Sequence, residues 1–312
     1  MIAYWPWISF KEFLESPFTT SAIGALFGAW LGALAAQKIG QRDKSKEELQ
    51  TLLRSINGAN VLAHNVFNGA YRLKRQYVAN LVQTYGKQRM EVHSHDWRIR
   101  YGLEQRRLLH IQIEMNTLDV LRVRVEELKD VVLGKLPPWQ RPGAVAAQLV
   151  ETVGALNWAI EERNRIIGEL NRPGVTEPEK MARIYAVKRR DGAVDDTFGH
   201  LIDGIETSTD AALYFAFRLS TDLTSRGQIV RTQLMRTHKG RAERVFRIDF
   251  AEAFNNNTMP PLAEYVDWET KFSDSVPRTY GRRLDKVWYY ALREWRWFGR
   301  RLRWYRRFRT HG

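Results

Sequence analysis

The sequence contains no cysteine. Disulfides, thiolate metal sites and cysteine nucleophiles are therefore excluded, and the chain suits a reducing compartment. It has no GxxxxGK followed by Ser or Thr, no HExxH, no GxSxG and no EF-hand loop, so none of the short phosphate, zinc, acyl-transfer or calcium signatures is present. Acidic side chains are scarce beside basic ones: 35 Asp and Glu stand against 49 Lys and Arg, a net of +14 over 312 residues. In residues 278–309, twelve Lys or Arg face only Asp285 and Glu294, a net of +10. The basic character belongs to the C-terminal tail, and no cofactor or metal is expected.

What is present begins with residues 18–36, FTTSAIGALFGAWLGALAA, which carry no charge. About 20 apolar residues rising 1.5 Å each cross a hydrocarbon core of about 30 Å. The run predicts a single N-terminal transmembrane helix over residues 18–37. Within it Thr20, Gly24, Gly28, Gly32, Ala36 and Gly40 recur every four residues. Lipid tails give helices no hydrophobic reason to associate, so spans meet by close backbone approach along such small-xxx-small ridges. Gly24, Gly28, Gly32 and Ala36 form the expected self-association face of a homo-oligomer.

The flanks set the orientation. Lys38, Arg42, Lys44 and Lys46 follow the run, whereas Lys11 before it is offset by Glu12 and Glu15. The positive-inside rule then puts the N-terminus outside and the bulk in the cytoplasm, at a bacterial inner membrane. Residues 1–17, with Tyr4, Trp5, Trp7, Phe10 and Phe13, read as an aromatic anchor at the outer headgroups. The rival is a cleaved signal peptide ending at Ala33, Leu34 and Ala35; the acids ahead of the run and the bases behind it oppose that.

Residues 38–277 are expected to form a cytoplasmic helical domain, making the fold all-α. Leu49, Leu53, Ile56, Val66, Phe67, Val78 and Leu81 recur at helical spacing, so the span is expected to continue as a stalk to about Tyr85, with bends at Gly58 and Gly69. Residues 86–96 read as a polar loop, 97–135 as mostly helical with a break at 111–113, and 136–143 as a proline-rich loop. Helices are expected at 144–171, 177–186 and 195–236, an extended loop at 244–250, and a short helix at 262–273 after a breaker cluster. On the stalk, Asn57, Asn60, His64, Asn68 and Tyr71 share one face. Such a polar stripe bonds within itself or fixes register between subunits.

In residues 278–312, Leu284, Trp288, Leu292, Trp295, Phe298, Leu302 and Tyr305 step by three or four while arginines occupy the other faces. This is a basic amphipathic helix. One reading lays it in an anionic lipid leaflet through Trp288, Trp295, Arg296, Arg300, Arg303 and Trp304. A second holds nucleic acid by phosphate pairing and base stacking, and a third packs the stripe on the body. The first is preferred because the span already holds the tail beside a negatively charged surface.

Chemistry-bearing clusters are few. Glu91, His93, His95 and Asp96 fall in the expected loop, while His200, Asp203 and Asp210 suit cap and dipole roles on a helix. The candidates for catalysis are His64, Arg89 and His95. Five residues separate Arg89 from His95, a spacing that resembles the R-x(4–6)-H motif of HEPN ribonucleases, helical-bundle proteins of prokaryotic defence. Met90 stands where that family favours Asn, Asp or His. Residues 60–64 resemble the second half of the motif, with Ala59 in the place of its Arg. More widely, residues 18–85, with their small-residue span, basic exit and polar-striped helix, resemble the membrane-anchored helical accessory and effector proteins of prokaryotic antiphage and CRISPR-type systems, some of them HEPN-like oligomeric pores. The resemblance implies a homo-oligomeric inner-membrane effector or channel-like component. The alternatives are a membrane-tethered HEPN-like ribonuclease and a non-catalytic scaffold that tethers a soluble defence-system partner.

Overall fold

A computed structural model describes residues 17–103, 111, 115–188, 192–238 and 242–271, with backbone but no side chains at 17–20, 22 and 23. Residues 1–16 of the expected aromatic anchor and the whole 278–312 tail lie outside the described residues. Among those described the protein is all-helical, with no strand. Helix α1 spans Pro17–Leu73, and a π-helical turn at Lys74–Val78 joins it without a break to α2, Ala79–Arg100. Helix α3 is Val125–Asp130, followed by a second π turn at Val131–Lys135; α4 is Gln140–Leu170, α5 Glu177–Tyr185 and α6 Thr197–His238. Short helices α7 (Ala251–Asn255) and α8 (Val266–Thr270) follow.

By contacts the described residues group into two compact units, one from those within 17–54 and 229–244, the other from those within 55–228 and 245–271. In the first unit, Leu53, Val230 and Leu234 are buried and Arg54 Nε meets Glu243 Oε1 at 3.1 Å.

The second unit is built on three long helices. Pairings of Asn60 with Thr224, Lys74 with Asp210 and Arg89 with Asp196 step down α6 as they step up α1 and α2. The two therefore run antiparallel, and the register is kept across the π turn. Helix α4 is also antiparallel to α6, since Arg141 pairs with Asp222 while Arg163 lies 5.8 Å from the Phe198 ring. The stripe Val145, Leu149, Val153, Leu156, Ala159 and Ile160 recurs at three and four residues and is wholly buried, as an amphipathic helix in a bundle requires. The expected helices at 144–171, 177–186 and 195–236 are all present, each displaced by a few residues at its ends.

Two extended segments strap this bundle. Residues 115–124 lie along α4, where Asn157 and Asn164 each pair with one backbone residue. Asn157 Oδ1 accepts from Leu121 N at 2.7 Å and Nδ2 donates to its carbonyl at 3.2 Å. Asn164 treats Leu118 likewise, at 3.0 and 2.7 Å. The second strap, residues 245–250, is held on α1: Phe246 N donates to Asn57 Oδ1 at 3.0 Å and Asn60 Nδ2 donates to Phe246 O at 2.7 Å. Each strap also crosses a helix at a glycine. A Cβ on Gly69 would stand 2.7 Å from a Leu121 methyl, and one on Gly227 2.9 Å from a Val245 methyl.

The structure corrects four expectations. Residues 86–96 are helical within α2, because nothing there opposes a helix and buried Tyr85 and Val92 hold its inner face. Residues 115–124 of the expected helical run 97–135 are extended, because the asparagines of α4 supply backbone partners that a helix would otherwise provide. Helix α4 begins inside the expected loop, at Gln140, since Pro142 falls in the first turn, where no amide donor is needed. The expected bend at Gly69 is instead a site of close approach, and the departure from α geometry falls at Lys74–Val78.

Candidate functional site

Among the described residues, nothing packs on residues 24–40 of α1. Leu26, Phe27, Trp30, Leu31, Leu34 and Ile39 are 42–70% exposed, and a Cβ added at Gly24, Gly28, Gly32 or Gly40 would meet no atom within 4 Å. At about 100° per residue, Leu26, Phe27, Trp30, Leu31 and Leu34 fall within an arc of about 140°, with Gly28, Gly32 and Ala36 on the opposite side, Gly24 at the edge beside Leu31, and Ile39 at the far end of the small-residue side. Phe27 and Trp30 meet edge to face at 6.4 Å. The segment is sorted by size, with one bulky flank and one nearly bare flank. No helix of the described residues is long and apolar enough to cross a membrane. The side chains at 18–20, 22 and 23, which complete the apolar run, lie outside the described residues.

The polar stripe of α1 finds partners within the chain. Asn60, fully buried, accepts from Ser220 Oγ at 2.6 Å and donates to Thr224 Oγ1 at 3.1 Å besides its bond to Phe246. His64 Nε2 lies 2.9 Å from Asn68 Nδ2, and its ring stands edge-on to Phe246 at 6.3 Å. Burial pushes the His64 pKa below its ordinary value. Tyr71 donates to Glu252 at 2.9 Å.

Arg89 and His95, with no break between them, both lie on α2. Six residues apart at about 100° each, they point about 120° away from one another. Arg89 Nη2 donates to both oxygens of Asp196, at 3.2 and 3.1 Å. The structure thus does not gather His64, Arg89 and His95 into one constellation. His200 lies 3.9 Å from Asp196, Asp210 pairs with Lys74, and Asp195 Oδ1 caps the start of α6 by accepting from Thr197 N at 3.1 Å. Among the described residues no three His, Cys, Asp or Glu gather as metal ligands.

Sequence reasoning missed a cluster where α2, α4, α5 and α6 meet. Tyr85 donates to the Ile184 carbonyl at 3.1 Å, Tyr185 donates to Gln88 Oε1 at 2.8 Å, and the two rings stack at 5.9 Å. Burial pushes both phenols up to about 12. With Arg163 and Phe198 they help line a half-open pocket of about 20 Å³, room for about one water. The only sequence signal was aromatic residues set at the ends of apolar stripes.

Elsewhere on α6, Glu206 is held above the usual carboxylate range by burial, then by the neighbouring Asp210 charge, against the pull of Lys74. Tyr214 donates to Glu269 at 2.8 Å and stacks on Tyr265 at 3.8 Å, fixing residues 262–270 to the bundle. No family model, curated protein or solved structure matches the chain.

Proposed function

We propose that the chain is a membrane-anchored homo-oligomer, a channel-like or effector component of a bacterial inner membrane, with its N-terminus outside and its bundle in the cytoplasm. The observation that carries this is the uncovered apolar segment from Leu26 to Ile39. Contiguous apolar surface of this kind on a single helix marks a partner or a bilayer. A helix with one bare flank and one bulky flank suits both at once: copies approach along Gly24, Gly28, Gly32 and Ala36, and lipid covers Phe27, Trp30 and Leu31. A part in antiphage defence rests on the resemblance of residues 18–85 alone. The tail is assigned to the anionic leaflet on its sequence pattern.

The test is the mass of the full chain in nanodiscs or mild detergent by size-exclusion light scattering. A multiple of one chain is expected, and Gly28→Leu or Gly32→Leu reduces it while the helical melting curve of the bundle is retained. An unchanged mass removes the small face from the interface, and full release of the chain from membranes by alkaline extraction removes the anchor.

A further inference from the structure

We propose that α1 meets α1 of a second copy in parallel, along a seam that runs on past the small-residue face, and that the Asp43 carboxylate of one copy pairs with Lys46 of the partner subunit. The inference rests on the homo-oligomer reading above and specifies the contact that holds the copies in register. Gly32, Ala36, Ile39, Asp43, Lys46 and Gln50 follow one another at alternating steps of four and three. That alternation is the seam of a coiled coil, and at about 100° per residue the six fall within an arc of about 80°. The next step of the seam, Leu53, is buried in the first unit together with Val230 and Leu234, whereas Ile39 is 60% exposed and Asp43 and Lys46 are exposed. Among the described residues the seam is thus covered at its C-terminal end and open above it.

Charge makes a second copy the occupant. Among the described residues neither Asp43 nor Lys46 makes an ion pair or hydrogen bond. The same three-residue spacing closes within one helix at Glu126 and Lys129, 2.8 Å apart, and at Glu177 and Lys180, 2.7 Å apart, whereas the shorter Asp43 side chain leaves both charges open. One acid and one base on the same narrow face make it net neutral and complementary to itself, so it suits an identical face rather than a polyanion such as nucleic acid. Copies that share one membrane orientation run parallel, and Asp43 then stands about 4.5 Å along the axis from Lys46 of the partner subunit. The small face repeats every four residues and so tolerates a slip of one turn. A single Asp and a single Lys do not, and polar groups at a seam fix register in this way at some cost in stability.

Charge reversal tests the pairing on the full chain in mild detergent, with mass read by size-exclusion light scattering over a dilution series. Asp43→Lys alone and Lys46→Asp alone are each expected to weaken assembly by at least about tenfold, because like charges then face each other across the seam. The helical melting curve of the bundle is retained in both, since the two side chains are exposed. Mixed in equal amounts, the two variants restore the parent mass, because each supplies the charge that the other has reversed. With an affinity tag on one variant only, both are recovered together. Assembly of either single variant at the parent's strength, or a mixture that stays apart, overturns the pairing. If Gly28→Leu lowers the mass while the charge variants leave it unchanged, the homo-oligomer stands and the seam alone falls. A parent chain that runs at the mass of one copy removes both.

Discussion

Asn157 faces Leu121 as the neighbouring strand of a sheet would, accepting from its amide at 2.7 Å and donating to its carbonyl at 3.2 Å. One turned amide side chain on a helix thus satisfies both backbone groups of a residue in an extended strap. Asn164 repeats the pairing one heptad later on Leu118, so the strap is held on a polar ladder although no strand is present among the described residues.

Replacing Asn157 with Ala therefore strips two hydrogen bonds and leaves Leu121, which is buried, with unpaired backbone groups. At about 1 kcal/mol for each net bond, a loss of about 2 kcal/mol is expected. Urea denaturation of the full chain measures it, and amide exchange at Leu121 should accelerate more than exchange along α4.

The Arg141–Asp222 pair is buried, with Nε to Oδ2 at 2.6 Å. Removing one partner leaves an uncompensated charge, so Arg141→Met alone or Asp222→Leu alone should cost about 3–5 kcal/mol. The double substitution should recover most of that, because an apolar pair pays no desolvation. Equal costs for single and double variants in chemical denaturation would contradict this.

Glycines in one helix should respond with opposite signs. Gly58 is exposed and a Cβ there meets nothing within 4 Å, so Gly58→Ala should stabilise by up to about 1 kcal/mol through helix propensity. Gly69→Ala drives its methyl to 2.7 Å from Leu121 and should destabilise, with the thermal midpoints moving in opposite directions.

Glu206 gives a pH signature. Its folded pKa is raised, so the native state holds the proton more tightly than the unfolded chain does. Ionising Glu206 thus costs stability as pH rises from the ordinary glutamate value through the raised one, and acidification restores it. Glu206→Gln should therefore raise the denaturation midpoint at pH 7 and have little effect near pH 4. A benefit that is larger at pH 4 would reverse the assignment.

The long helices were legible because their apolar residues repeat at helical spacing over many turns, as the wholly buried stripe from Val145 to Ile160 illustrates. The helical state of residues 86–96 was hidden by polar side chains that serve a helix as well as a loop, and its inner face rests on widely spaced Tyr85 and Val92. The straps were illegible for another reason. What makes residues 115–124 extended is Asn157 and Asn164, which in sequence look like two more polar residues on an amphipathic helix. The polar stripe was visible as a stripe. Its partner at Phe246 was not, since nothing local in the sequence pairs Asn57 and Asn60 with a residue so far along the chain. The Tyr85 and Tyr185 pair was likewise set by which helix ends meet.

The bond from Phe246 to Asn57 closes over 189 residues of sequence, and that to Asn60 over 186. During synthesis the chain emerges from its N-terminus at about 5–20 residues per second, so Asn57 and Asn60 leave the ribosome roughly ten to forty seconds before the segment that satisfies them. Fully buried Asn60 must remain hydrated throughout that interval, and the apolar start of α1 is available to the membrane long before the second strap exists. Release of a chain truncated before residue 245 would strand the bundle with Asn57 and Asn60 short of their Phe246 partner, which makes synthesis of the second strap the step that commits the fold.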